Sequence, residues 1–138
     1  MRKMQIIKAV IDVNIWIAHF ICNRGFIFKE FVVDNGIILF RSSELTKELN
    51  DVINRQKFRK YTTISPDEFV ELYLSLTNHF ETQAKFEDCP DKKDNYLFDL
   101  AIQSKSKYLV SGDKIVLETK VKSSLKLITL AEFKQIFS

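Results

Sequence analysis

Lys8-Ala9-Val10-Ile11-Asp12-Val13-Asn14 is the stretch whose reading decides the fold. Ala9, Val10 and Ile11 are small or β-branched, the composition of a strand buried on both faces of a parallel sheet. Asp12 arrives where that strand should end, and Asn14 leads into the helical-looking Ile15-Trp16-Ile17-Ala18. A carboxylate at the carboxyl end of a central strand occupies the place where open α/β sheets bind their ligands. Capping of the next helix by Asp12 or Asn14 explains the same placement. Convergence of other acids on this point is what separates the two readings.

Outward from that stretch, Ile15 to Ile21 reads as a short apolar helix with Trp16 and Phe20 on one face. His19 falls within it and reads as a core-edge histidine, because no second His or Cys lies nearby. After a break at Arg24-Gly25, Phe26 to Val33 reads as a second helix with Phe28, Phe31 and Val32 on one stripe. Asp34-Asn35-Gly36 is a stop signal, and Ile37-Ile38-Leu39-Phe40 a second buried strand. Ser43 is the expected cap of a helix carrying Leu45, Leu49, Val52 and Ile53, with Glu48 beside that stripe. This helix is expected to continue into the basic run Asn54 to Lys60, whose cations suit a helix end.

Ser65-Pro66-Asp67-Glu68 combines a cap, a proline at the first helical position and acids in the first turn. The helix is expected to carry Phe69, Leu72, Tyr73, Leu76 and Phe80, with His79 at its far end. Glu81 to Phe86 reads as a short extended segment and Asp88 to Asn95 as a polar loop. A helix beginning near Asp94 carries Leu97, Leu100, Ala101 and Ile102. Lys107 to Val110 is a third strand ending in Ser111-Gly112-Asp113, and Leu125 to Ile128 a fourth. Thr129 is placed to cap a last helix bearing Leu130, Phe133, Ile136 and Phe137.

The chain of 138 residues fits one domain over its whole length, 1–138. A composition of 46% hydrophobic and 28% charged residues supports both a core and a polar surface. No apolar run is long enough to cross a bilayer, so no membrane association is expected, and the first residues carry no signal-peptide core. Cys22 and Cys89 fit no disulfide or metal framework, which makes a cytoplasmic location the expectation. The formal net charge of +3 permits nucleic-acid binding without requiring it.

The element order implies a mainly parallel sheet covered on both faces, a three-layer α/β/α sandwich. In such a sheet the carboxyl ends of the strands open on one edge. Asp12 ends the first strand, and Asp113 follows the third. Glu48 stands about two turns into the helix after the second. Asp94 begins the helix that feeds the third. Four acids from four segments can therefore meet at one cleft. Four such carboxylates cannot all stay ionised without a counter-charge. Hard divalent cations with oxygen ligands, Mg²⁺ or Mn²⁺, meet that requirement, and sites of this kind hydrolyse phosphodiesters.

Other phosphate chemistries fail on particular residues. Asn14 stands where an aspartyl-nucleophile phosphatase would normally show its second acid, and Gly25, Gly36 and Gly112 cannot form a phosphate-cradling glycine-rich loop. The acid and lysine pattern of a receiver domain is not met.

The pieces Val10-Ile11-Asp12-Val13-Asn14-Ile15-Trp16, Glu48 to Ile53 running into Arg55-Gln56-Lys57-Phe58, Asp94 to Ala101, and Lys107 to Asp113, in this order and spacing, resemble the PIN-domain family. The nearest likeness is to the toxin subfamily of type II toxin–antitoxin pairs. Val13 and Ser111 stand where that family commonly has Thr, and the loop Cys89 to Asp94 is spaced unlike its usual Arg-Asp-Pro-x-Asp.

The resemblance implies that Asp12, Glu48, Asp94 and Asp113 are the metal-binding and catalytic acids, with Asn14 and Ser111 supporting them by hydrogen bonds. It implies cleavage of RNA by a metal-dependent endoribonuclease, and an antitoxin that binds near the cleft and inhibits. Asp91 is the alternative to Asp94, and Asp99, one turn on, either joins the site or faces solvent. Arg55, Lys57 and Arg59 are candidate RNA contacts, with Lys105, Lys107 and Lys114 behind them. A catalytically silent binding module and a nuclease acting on DNA are the competing functions. The aromatic helices from Ile15 to Val33 carry more apolar surface than one stripe buries, which suits a homodimer or an antitoxin contact.

Overall fold

Ile7–Ile11 forms β1 at the centre of the sheet, and its Ala9, Val10 and Ile11 are sealed from solvent as a doubly covered strand requires. The computed structural model describes residues 6–55 and 62–138. Among these the order is β1, α1 (Val13–Ile21), α2 (Gly25–Asp34), β2 (Ile37–Arg41), α3 (Ser43–Ile53), α4 (Pro66–Leu76) and β3 (Thr77–His79). A 3₁₀ turn at Lys92–Asp94 then leads into α5 (Asn95–Gln103), β4 (Tyr108–Val110), α6 (Lys114–Leu117), β5 (Lys126–Ile128) and α7 (Leu130–Ile136). The five strands are all parallel, in the order β3-β2-β1-β4-β5, and the helices complete a three-layer α/β/α sandwich.

Local signals account for most element ends. Gly36 adopts a left-handed φ of 61° and turns the chain from α2 into β2. Ser65 accepts from the Glu68 N–H, with Pro66 at the start of α4. Thr129 and Glu132 form a reciprocal capping box at α7. The buried stripe of α3 is Leu45, Leu49 and Ile53, each fully enclosed. Burial of a side chain of this size contributes about 1.5–3 kcal/mol. Trp16 packs edge-on between Phe28 and Tyr73 and so joins α1, α2 and α4.

Four expectations are corrected. Ser42, not Ser43, caps α3, its side chain accepting from the Leu45 N–H. The helix ends at Ile53 with Asn54 as its C-cap, rather than continuing along the basic run. Residues 56–61, which include Lys57 and Arg59, lie outside the described residues. The sheet has five strands where four are legible: Thr77-Asn78-His79 leaves α4 and pairs with the edge of β2, Arg41 opposite His79. The helix expected to carry Phe80, with His79 at its far end, stops at Leu76, and the 81–86 segment beyond β3 has its backbone held by side chains of α5.

Candidate active site

Strand order reverses beside β1: the chain moves outward to β2 and β3 on one side and to β4 and β5 on the other. In open α/β sheets the crevice at such a reversal is where ligands bind. Asp12 leaves the end of β1 there, and Ser111-Gly112-Asp113 leaves the end of β4.

The two ends are tied together. The fully buried Ser111 hydroxyl donates to Asp12 Oδ2 at 2.7 Å and accepts from the Asp113 N–H at 3.0 Å. Asp12 Oδ1 accepts from the Asn14 N–H at 3.4 Å, so Asp12 also caps α1. Asp113 likewise caps α6, with Oδ1 accepting from the Ile115 N–H at 2.9 Å. Capping and site placement therefore coexist in both residues. Ser111 reaches Asp12 through its side chain, whereas Asn14 does so through its backbone.

A cleft of about 380 Å³ opens at this point. Asp12, Glu48, Asp94 and Asp113 all line it, together with Asn14 and Tyr96. Arg55 and Lys93 bring positive charge to the same walls. Glu48 is exposed on α3, projecting beside the Leu45–Leu49–Ile53 stripe. Asp94 stands at the cap position of α5, yet its side chain makes no capping bond, which leaves the carboxylate to the cleft. Asp91 is not among the lining residues and pairs with Lys93 at 3.7 Å. Asp99 neither joins the cleft nor faces solvent. It is buried, and its Oδ1 accepts from the Lys85 and Phe86 N–H groups and from Gln103 Nε2.

The electrostatics carry the mark of crowded acids. Burial, and then the Asp113 charge, hold the Asp12 carboxyl above its ordinary value, against the opposing hydrogen bonds from Ser111 and Asn14. Asp94 is pushed up to about 6, first by burial and then by the charges of Asp12, Asp91 and Asp113. The Tyr96 phenol is also raised, by burial and by the nearby Asp12, Glu48 and Asp94. Tyr96 and Lys93 carry no sequence signal beyond adjacency to Asp94, which says nothing about the direction of their side chains.

The donor set is all oxygen and negatively charged, which fits a hard divalent cation. Among the described residues, no three His, Cys, Asp or Glu side chains form a group already able to hold a metal ion. Ser111→Ala is expected to lower metal affinity and any metal-supported activity by about 10- to 100-fold, the usual cost of losing a partner that orients a ligand. Metal titration with parallel thermal melts checks this, and unchanged affinity would show that Ser111 only ties β4 to β1.

Residues 8–115 match the family model described as PIN domain, and the chain belongs to that family. PIN domains are commonly nucleases, so membership supports a hydrolase acting on nucleic acid. No curated protein and no solved structure matches the chain. Among the described residues no helix is long and apolar enough to cross a membrane.

Proposed function

We propose that this PIN domain is a Mg²⁺- or Mn²⁺-dependent endoribonuclease, with Asp12, Glu48, Asp94 and Asp113 as its metal-binding acids, and that it is the toxin of a toxin–antitoxin pair. The observation that carries the catalytic part is the arrival of these four acids, from four separate segments, on one cleft at the switch point of the sheet. The choice of RNA and the toxin role rest on the sequence resemblance.

A divalent ion in such a site supplies positive charge to the phosphoryl oxygens and favours ionisation of an attacking water. The protein's own groups divide the remaining work. Ser111 and the Asn14 N–H fix both oxygens of Asp12, so the carboxylate is oriented before substrate arrives. Asp113 is held by its own cap and by its backbone bond to Ser111. Arg55 and Lys93 can meet backbone phosphates at the walls of the cleft, and the Tyr96 hydroxyl supplies a neutral donor. Cleavage proceeds by attack of water oxygen on phosphorus, breaking one P–O ester bond and passing a proton to the leaving oxygen.

Phe26, Ile27 and Val33 of α2 remain more than half exposed while Phe28 is buried, and they provide the apolar surface that an antitoxin segment or a second copy would cover. The test uses metal-stripped protein and a mixed RNA pool beside DNA of matching sequence. RNA cleavage that appears with Mg²⁺ or Mn²⁺ and stops with a chelator is the expected result. Cleavage of DNA alone would replace the substrate, and metal binding without cleavage of either would make the chain a binding module.

A further inference from the structure

The face of α3 turned away from the cleft borders a second groove, of about 470 Å³, lined by Arg41, Ser43, Thr46, Lys47, Asn50, Asp51 and His79. We propose that this groove binds the phosphodiester backbone of the same single-stranded RNA, beyond the scissile bond and on the far side of α3. The inference rests on the nuclease reading of the cleft and adds the path of the substrate.

Placement is the first argument. Arg41 ends β2 and His79 ends β3, opposite each other in register, so both stand on the carboxyl edge of the sheet where the cleft also opens. On α3, Glu48 and Val52 face the cleft, with Arg55 just beyond the end of the helix, whereas Ser43, Thr46, Lys47, Asn50 and Asp51 face the groove. Helical spacing puts these two sets on opposite flanks of one helix, with the buried Leu45, Leu49 and Ile53 beneath. A strand leaving the cleft over α3 descends into the groove after crossing a helix about 10–12 Å wide with its side chains.

Charge and donor chemistry are the second. The groove holds the fixed cations Arg41 and Lys47, the His79 imidazole and a single carboxylate, Asp51, whereas the cleft holds four acids. Arg41 is built in: its Nη1 donates to the Leu74 and Thr77 carbonyls and to Thr77 Oγ1. The remaining guanidinium donors, the Lys47 ammonium, the Asn50 amide and the His79 ring have no hydrogen-bond or ion-pair partner among the described residues. An anchored arginine surrounded by free donors suits phosphate oxygens, and cations at this distance offset the repulsion a polyanion meets at the acidic cleft. The lysines at 105 and 107 cannot serve this path, because they precede β4 at the opposite edge of the sheet.

Binding of fluorescent single-stranded RNA, measured across a salt series with the cleavage-blocked Asp12→Asn protein, tests the assignment. The double variant Lys47→Ala/His79→Ala, both exposed positions, should bind a decanucleotide more weakly. Its slope of log affinity against log salt should flatten by about 0.7 for each phosphate no longer neutralised. The effect should grow with strand length and be small for a dinucleotide, which is too short to cross α3. Lys47→Glu should weaken decanucleotide binding further. An unchanged slope and affinity in that blocked background, with the parent protein cleaving RNA in the presence of Mg²⁺ or Mn²⁺, would overturn the groove and leave the proposed function standing. A parent protein that neither binds nor cleaves RNA with Mg²⁺ or Mn²⁺ would remove both.

Discussion

Asp12→Asn should reduce cleavage of RNA by about 10²- to 10⁴-fold while leaving the fold intact. The magnitude follows from the several kcal/mol that charge stabilisation of this kind supplies, at about 1.36 kcal/mol for each factor of ten. Asparagine keeps the size of the side chain and an oxygen able to accept the Ser111 hydroxyl, so the link between β1 and β4 can persist. The negative charge disappears together with one of the two acceptor oxygens, the one that takes the longer bond from the Asn14 N–H. Because Asp12 is 5% exposed and burial holds its carboxyl above the ordinary range, removing that charge relieves the metal-free protein rather than burdening it. Cleavage assays beside thermal melts separate the two effects. A variant that cuts as fast as its parent would place any activity outside this cleft.

Asp94→Asn should move activity and stability in opposite directions, and Asp91→Asn should move neither strongly. Asp94 lines the cleft with a carboxylate free of capping duty, whereas Asp91 sits outside it against Lys93. Loss of Asp94 is therefore expected to cost about 10²-fold or more in cleavage, again as lost charge in the site. Its folded carboxyl titrates near 6, above its ordinary value of 3.8, so folding favours the protonated form. The stabilisation that comes with the proton is complete below about 4 and is lost as pH rises through about 6. In chelator at pH 7, Asp94→Asn should thus be more stable than the parent, and the gap should close on acidification towards pH 4. Added Mg²⁺ or Mn²⁺ should raise the parent's melting temperature more than the variant's. Equal metal stabilisation in both proteins would remove Asp94 from the metal site.

Local chemistry is what the sequence by itself determined about this protein. Ala9-Val10-Ile11 is apolar throughout because β1 is covered on both faces, and that fact survives without knowledge of any neighbour. Ser65-Pro66, Thr129 and Gly36 act within a few residues of themselves, through a cap, a fixed φ or a left-handed turn, and their elements begin or end where they should. The placement of Asp12, Glu48, Asp94 and Asp113 on one edge followed from element order, since parallel strands share their carboxyl side. Tertiary structure decided the rest. Thr77-Asn78-His79 has no strand signature, being short, polar and half outside the core. It becomes β3 only because β2 offers an unpaired edge and Arg41 reaches across to Thr77. That Asp94 and not Asp91 lines the cleft depends on side-chain direction in an acid-rich loop, and Asp99, on α5, is drawn to a structural post beneath the 81–86 segment by backbone N–H groups distant from it in sequence. Ser111 meets Asp12 across 99 positions of chain, and the two come together only once β1 and β4 lie side by side.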